Sequence, residues 1–246
     1  MPDFKTLSTR GDPYQATRVY TVYLYPNNVA EVDICDEVIH EGTDKDENGG
    51  IRHYCDQLYS ANCINYYEIL RYDGPLPCVD DGSRDDFWDA FTDWWNDTDY
   101  SDYSGTHIGV SANVTGGRAA SNNHPSHESA FVNSKPAVAG AGYSNDNRSA
   151  QVAVHEALHT TTNRKLDEVE EMLENDNDHD LGHLYDISGW FDDDAAGSPL
   201  LGGYGSEHWG AGDCASDDMD KEEYWTDMNT CETDATWYTA DHDYDD

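Results

Sequence analysis

Apolar positions along this chain recur with two periods. Residues 18–25, RVYTVYLY, are β-branched and aromatic almost without interruption, as a buried strand requires, and residues 50–60 read as a helix following it. Residues 85–96, DDFWDAFTDWWN, set Phe87, Phe91 and Trp94/Trp95 at i, i+4 and i+7/8 spacing. That spacing makes one stripe of an amphipathic helix, with acidic residues near the N-terminus where the macrodipole favours them. Core packing is the reading of this stripe, with a carbohydrate-binding aromatic strip as the functional alternative. Residues 106–110, 129–132 and 137–139 read as short strands separated by a loop rich in Gly, Ser and Asn. A helix-compatible run follows over residues 149–161, then an acidic helical turn over 166–173 and a closing helix over 217–231 containing Met219, Tyr224, Trp225 and Met228. Residues 241–246 read as a solvated tail.

Strands and helices in this order predict an α+β fold. With no low-complexity linker or internal repeat, the 246 residues are expected to form one domain, with an N-terminal lobe over about 15–162 and a C-terminal lobe over about 163–240. No apolar run is long enough to cross a bilayer, and the amino terminus MPDFK has no apolar leader core.

The chemistry concentrates in the helix over 149–161. Its residues His155-Glu156-Ala157-Leu158-His159 form an HExxH pattern. Positions i and i+4 lie one above the other on a helix face, so His155 and His159 can offer ring nitrogens to one metal ion. Glu156 then stands beside that ion as the general base, taking a proton from a water that the metal acidifies and returning it to the leaving amine. Ala150, Val152, Ala153 and Val154 before the motif, and Ala157 and Leu158 within it, make the small apolar face of a buried helix. Burying unpaired imidazole and carboxylate costs several kcal/mol, and metal coordination removes that cost.

Catalytic zinc usually takes three protein ligands and a water, so a third is expected downstream. His179 in Asn177-Asp178-His179-Asp180-Leu181-Gly182-His183 is the favoured residue, because Gly182 can supply a turn that aims it at the helix. His183 is the alternative, with Asp167 or Glu168 as carboxylate candidates.

On the HEALH and HDLGH elements the chain resembles the zincin metalloproteases, more closely a metzincin-like branch with a lengthened stretch between the second and third ligands. The compact HExxHxxGxxH form is absent, since Thr162 and Lys165 occupy the glycine and third-histidine positions. Ser198-Pro199-Leu200-Leu201-Gly202-Gly203-Tyr204-Gly205 is similar to the tight turn that metzincins place beneath the metal, with Leu200 or Leu201 where the family has Met. Leucine nearly conserves that volume and supplies the same apolar floor. The resemblance covers about residues 106–236. It implies a zincin-like catalytic domain, a mixed sheet with an active-site helix and a C-terminal helix, and a zinc endopeptidase with a protein or peptide substrate, with Tyr204 as a helper of the oxyanion and a strand just before the active helix edging the cleft. The runner-up is a non-catalytic surface or filament protein retaining the scaffold as an interaction module.

Composition changes the setting of this chemistry more than its content. Fifty-one acidic residues against 13 basic give a formal charge of −38. At molar salt the Debye length falls to about 3 Å, which makes so dense a carboxylate surface tolerable, so a halophilic, haloarchaeal source is the expectation. The 17 Tyr, 7 Trp and 5 Phe exclude a disordered acidic chain. The absence of a basic stripe excludes nucleic acid as a partner. Six cysteines, Cys35, Cys55, Cys63, Cys78, Cys214 and Cys231, form no CxxC pair and are read as disulfides in an oxidising, extracellular setting, with Cys214 to Cys231 as the chosen C-terminal pair. Sequons at Asn96, Asn113 and Asn147 point the same way. Calcium is a possible second metal: Asp44-Lys45-Asp46-Glu47-Asn48-Gly49 opens like an EF-hand loop but has Cys55 at the position of the bidentate Glu, and Asp192-Asp193-Asp194 is a further acidic cluster.

Overall fold

The strand-forming runs assemble side by side. The computed structural model describes residues 4–27, 38, 49–74, 76, 83–120, 128–141, 146–173, 178–186, 194–201, 220–224 and 226–245. Six strands, β1 (Phe4–Gly11), β2 (Val19–Pro26), β3 (Tyr66–Tyr72), β4 (Gly105–Ser111), β5 (Gly117–Ala119) and β6 (Ser134–Gly140), form one mixed sheet in the order β1-β3-β2-β4-β6-β5. The inner pairs β3/β2, β2/β4 and β4/β6 are parallel, while β1 and β5 close the two edges antiparallel. Five helices are described: α1 (Ile51–Ser60), α2 (Arg84–Asn96), α3 (Asp146–Thr161), the short α4 (Asp167–Glu170) and α5 (Thr230–Asp245). A small sheet of β7 (Leu184–Asp186), β8 (Asp194–Gly197) and β9 (Asp220–Tyr224) lies in the C-terminal part of the chain. The class is α+β, as expected.

Parallel strands are buried on both faces, so the period of two sorts their side chains into two cores. Tyr20, Val22 and Leu24 of β2, Ile108 and Val110 of β4, and Ala137 and Ala139 of β6 face one way, against α1, α3 and α5. Tyr23 and Tyr25 of β2, Tyr72 of β3 and Val138 of β6 face the other way, against Phe87, Phe91 and Trp95 of α2. The aromatic stripe of α2 is therefore core. Its N-cap is Ser83, whose hydroxyl accepts from the Asp86 amide at 3.2 Å.

Several expectations need correction. Residues 129–132 form a turn and no strand: the Ser129 carbonyl accepts from Asn133 N, and the Ser129 hydroxyl accepts from Phe131 N. That local competition by serine displaces a strand pairing. Within the closing helix expected over 217–231, residues 220–224 instead form β9, residues 226–229 are irregular, and α5 begins only at Thr230. Accordingly, residues 241–245 are the end of α5 and no tail. Asp241 and Asp245 each pair with Arg18 at 2.8 Å, and Asp243 accepts from Ser129 N. The strand before α3, β6, is internal, and the edge belongs to β5. Cys55 and Cys63 are free and buried, so the expectation that all six cysteines pair fails at these two. Burial pushes both thiols up, Cys63 to about 12, and they pack as small apolar groups. Cys35, Cys78 and Cys214, with residues 44–48, 192 and 193 of the calcium candidates, lie outside the described residues. Among the described residues no helix is long and apolar enough to cross a membrane.

Candidate metal centre

The position of α3 is fixed from beneath by hydroxyl groups. Thr160 and Thr161 follow the HEALH segment and back-bond to the Ala157 carbonyl at 2.7 and 3.1 Å. Thr160 Oγ1 also meets Thr106 Oγ1 of β4 at 2.6 Å, which meets the Tyr20 hydroxyl of β2 at 2.7 Å. On the other side Thr161 Oγ1 meets the Tyr54 hydroxyl of α1. Ala153, Val154, Ala157 and Leu158 are fully buried against the sheet, so helix rotation and height are set together. His155, Glu156 and His159 then fall on the flank of α3 next to β5 and residues 198–200.

Three imidazoles converge there. His155 Nε2 lies 3.0 Å from His159 Nε2 and 3.3 Å from His179 Nε2. One ligand atom from each of the three residues falls within 4.8 Å of the others. His155 Nδ1 is 2.8 Å from the Pro199 carbonyl, which can only accept, so Nδ1 carries the hydrogen and donates it. In the neutral ring Nε2 is then the acceptor nitrogen, and it faces the other two imidazoles. A tetrahedral ion with metal–nitrogen bonds of about 2.0–2.1 Å holds its ligand nitrogens about 3.3 Å apart. These donors fit such an ion, and a single cation would satisfy all three.

Glu156 stands beside the cluster. Its Oε1 is 3.9 Å from His155 Nε2, and the residue is buried. Its space comes from the sheet edge: a Cβ on Gly117 of β5 would collide with the Glu156 carboxylate, so glycine at this position lets strand and carboxylate lie side by side. Leu200, next to Pro199, is fully buried.

A second carboxylate, which sequence reasoning missed, holds residues 198–200. Glu232 of α5 is completely buried and accepts from Ser198 Oγ at 3.0 Å, Leu200 N at 2.7 Å and Asn229 N at 2.9 Å. Burial pushes its carboxyl up to about 8 against the opposing pull of these three donors. Asn229 answers with its Oδ1, which accepts from Glu232 N at 2.8 Å, a reciprocal capping box that starts α5. The N-x-x-E spacing over residues 229–232 was the available signal.

Of the third-ligand candidates, the fold brings His179 to the HEALH histidines. The Gly182 amide donates to the His179 carbonyl at 3.0 Å and closes the turn over Asp178–Leu181 that carries it. His183 is outside the cluster, as are the exposed Asp167 and Glu168. Its backbone faces Ser198 instead, its amide donating to Ser198 Oγ and its carbonyl accepting from Ser198 N, both at 2.9 Å. Tyr204 lies outside the described residues. Compared with protein-family models and with curated proteins, the sequence matches none.

Proposed function

We propose that the chain is a secreted, salt-adapted zinc metalloendopeptidase of zincin type. The observation that carries this reading is the convergence of the Nε2 atoms of His155, His159 and His179 beside the buried Glu156 carboxylate. Neutral imidazoles in a set of three suit zinc, and three protein ligands leave a fourth position for water. A bound zinc ion supplies a Lewis acid, which polarises the scissile carbonyl and lowers the pKa of water towards neutrality.

The protein's own groups carry the remaining steps. Glu156 accepts the proton of the attacking water and returns it to the leaving amine. The Pro199 carbonyl holds His155 in the tautomer whose Nε2 can act as a ligand. Among the described residues β5 pairs with β6 alone, so an extended peptide can add to its outer side by main-chain hydrogen bonds, next to Glu156. Tyr204 is the proposed donor to the developing oxyanion. The formal charge of −38 requires solution ions for screening, which places the working condition at high salt.

The test is metal analysis and casein hydrolysis in molar KCl, before and after treatment with a chelator and after zinc is restored. The expected result is bound zinc and hydrolysis that vanishes and returns with it. Protein that takes up zinc but never cleaves would favour a non-catalytic module, and protein that takes up none would remove the reading altogether.

A further inference from the structure

We infer that the capping box of α5 is a buckle that positions two of the three histidines, with Glu232 as its central residue. The inference rests on reading the histidine cluster as a metal site. Helix caps ordinarily serve one helix end. Here the cap serves two other segments besides. Glu232 Oε2 takes the Asn229 amide, which completes the box, while Oε1 reaches outward to Ser198 Oγ and Leu200 N. Those two residues flank Pro199, whose carbonyl accepts the proton of His155 Nδ1. The Asn229 side-chain amide does the matching work on the other segment, donating to the Leu181 carbonyl at 2.6 Å and to Ser198 Oγ at 3.1 Å. Leu181 ends the turn that carries His179.

One box therefore grips the turn that orients His155 and the turn that bears His179. Ser198 is the common rivet, since its hydroxyl also accepts from His183 N just past the second turn. Leu181 and Leu200 are fully buried around the box, so the contacts operate away from water, where losing a partner is most costly. Neither Glu232 nor Asn229 approaches the place where a substrate would react. They are positioning residues, and their effect should appear as ligand orientation.

The test uses the full chain with E232A and S198A as probes and R18Q as the control. Arg18 holds the far end of α5 through Asp241 and Asp245, so R18Q loosens the helix without touching the buckle. Two quantities are read in molar KCl. One is the His155 tautomer in metal-free protein, from long-range proton–nitrogen correlations of the imidazole ring. The other is zinc affinity by competition with a chelator. The wild-type chain and R18Q should show His155 with its proton on Nδ1 and equal affinities. E232A and S198A should show a mixture of tautomers, and zinc binding weakened about 10- to 100-fold, the range for partners that orient a ligand. Folded E232A with an unchanged tautomer and affinity would overturn the buckle, as would an R18Q effect of equal size. Should E232A fail to fold, S198A decides alone, because it removes three of the contacts while trimming a single oxygen. Wild-type protein that binds no zinc would defeat the metal-site reading, and the tautomer would still judge the buckle.

Discussion

Each face of the six-stranded sheet is associated with a buried histidine, and the two are used in opposite ways. His107 of β4 lies among Tyr23, Tyr25 and Trp95, its ring stacked on that of Tyr23 with centroids 4.4 Å apart. Its Nε2–H donates to the Tyr103 carbonyl at 2.7 Å, and its Nδ1 accepts from the Tyr25 hydroxyl at 2.8 Å. Both nitrogens are spent, and burial holds the ring neutral, its pKa lowered to about 3. His155 spends one nitrogen on Pro199 and turns the other towards two more imidazoles. Burial alone does not mark a site; a ring nitrogen turned towards two other imidazoles does.

The largest effect should come from the carboxylate beside that nitrogen. Glu156→Gln keeps all three imidazoles and removes the base, so zinc content should be unchanged while hydrolysis falls about 10²- to 10⁴-fold. Steady-state rates with metal analysis on the same samples check this. Turnover close to wild type would reassign the base.

Next in size is the contrast between the histidines that follow. His179→Ala should weaken zinc binding by more than about 100-fold, beyond the cost of losing an orienting partner. His183→Ala should change it only a few-fold, because the contacts of His183 with Ser198 are made by its backbone. Competition titrations would show the ranking, and its reversal would break the cluster as described.

On the other face, His107→Phe should leave zinc affinity untouched and lower stability. The Tyr25 hydroxyl and the Tyr103 carbonyl would each lose a partner, at about 1–3 kcal/mol for a buried group. Denaturant titration at fixed salt measures it. A loss of zinc affinity in this variant would show that the two faces are coupled.

The uneven legibility of the chain follows the same logic of local against distant information. HEALH is read from sequence because helix period and ligand spacing are one statement, and RVYTVYLY and the stripe of α2 announce themselves by side-chain type. Strand β5 has three residues, Gly117, Arg118 and Ala119, without an apolar alternation, and exists because β6 offers it an edge. Helix α5 is hidden for another reason. Its buried positions Glu232, Ala235, Thr236, Thr239 and Ala240 are small or polar, and Asp234, Asp241, Asp243 and Asp245 interrupt the remainder, so no apolar stripe stands out. Missing that helix start meant missing Asn229 and Glu232. The role of Pro199 was invisible for a stricter reason, since it acts through a carbonyl that every residue has.

The smallest effect expected is a pair of opposing slopes in stability against pH. His107 has its folded pKa lowered from an ordinary 6.5 to about 3, so the unfolded chain binds the extra proton between these values. Its contribution is complete above about 6.5 and is lost as pH falls towards 3. Glu232 runs the other way: its folded pKa is raised from an ordinary 4.5 to about 8, so the native state holds the proton in between. Its contribution is complete below about 4.5 and is lost as pH rises through 8. Each slope is at most about 1.4 kcal/mol per pH unit, one proton's worth. Many other carboxylates titrate in this chain, so the readout is the difference between wild type and variant, from denaturant titrations between pH 4 and 9. His107→Phe should give a difference curve that slopes on the acid side, and Glu232→Gln one that slopes on the alkaline side. Parallel curves for wild type and Glu232→Gln would mean that the three donors around Glu232 outweigh its burial, leaving the buckle charged across the whole range.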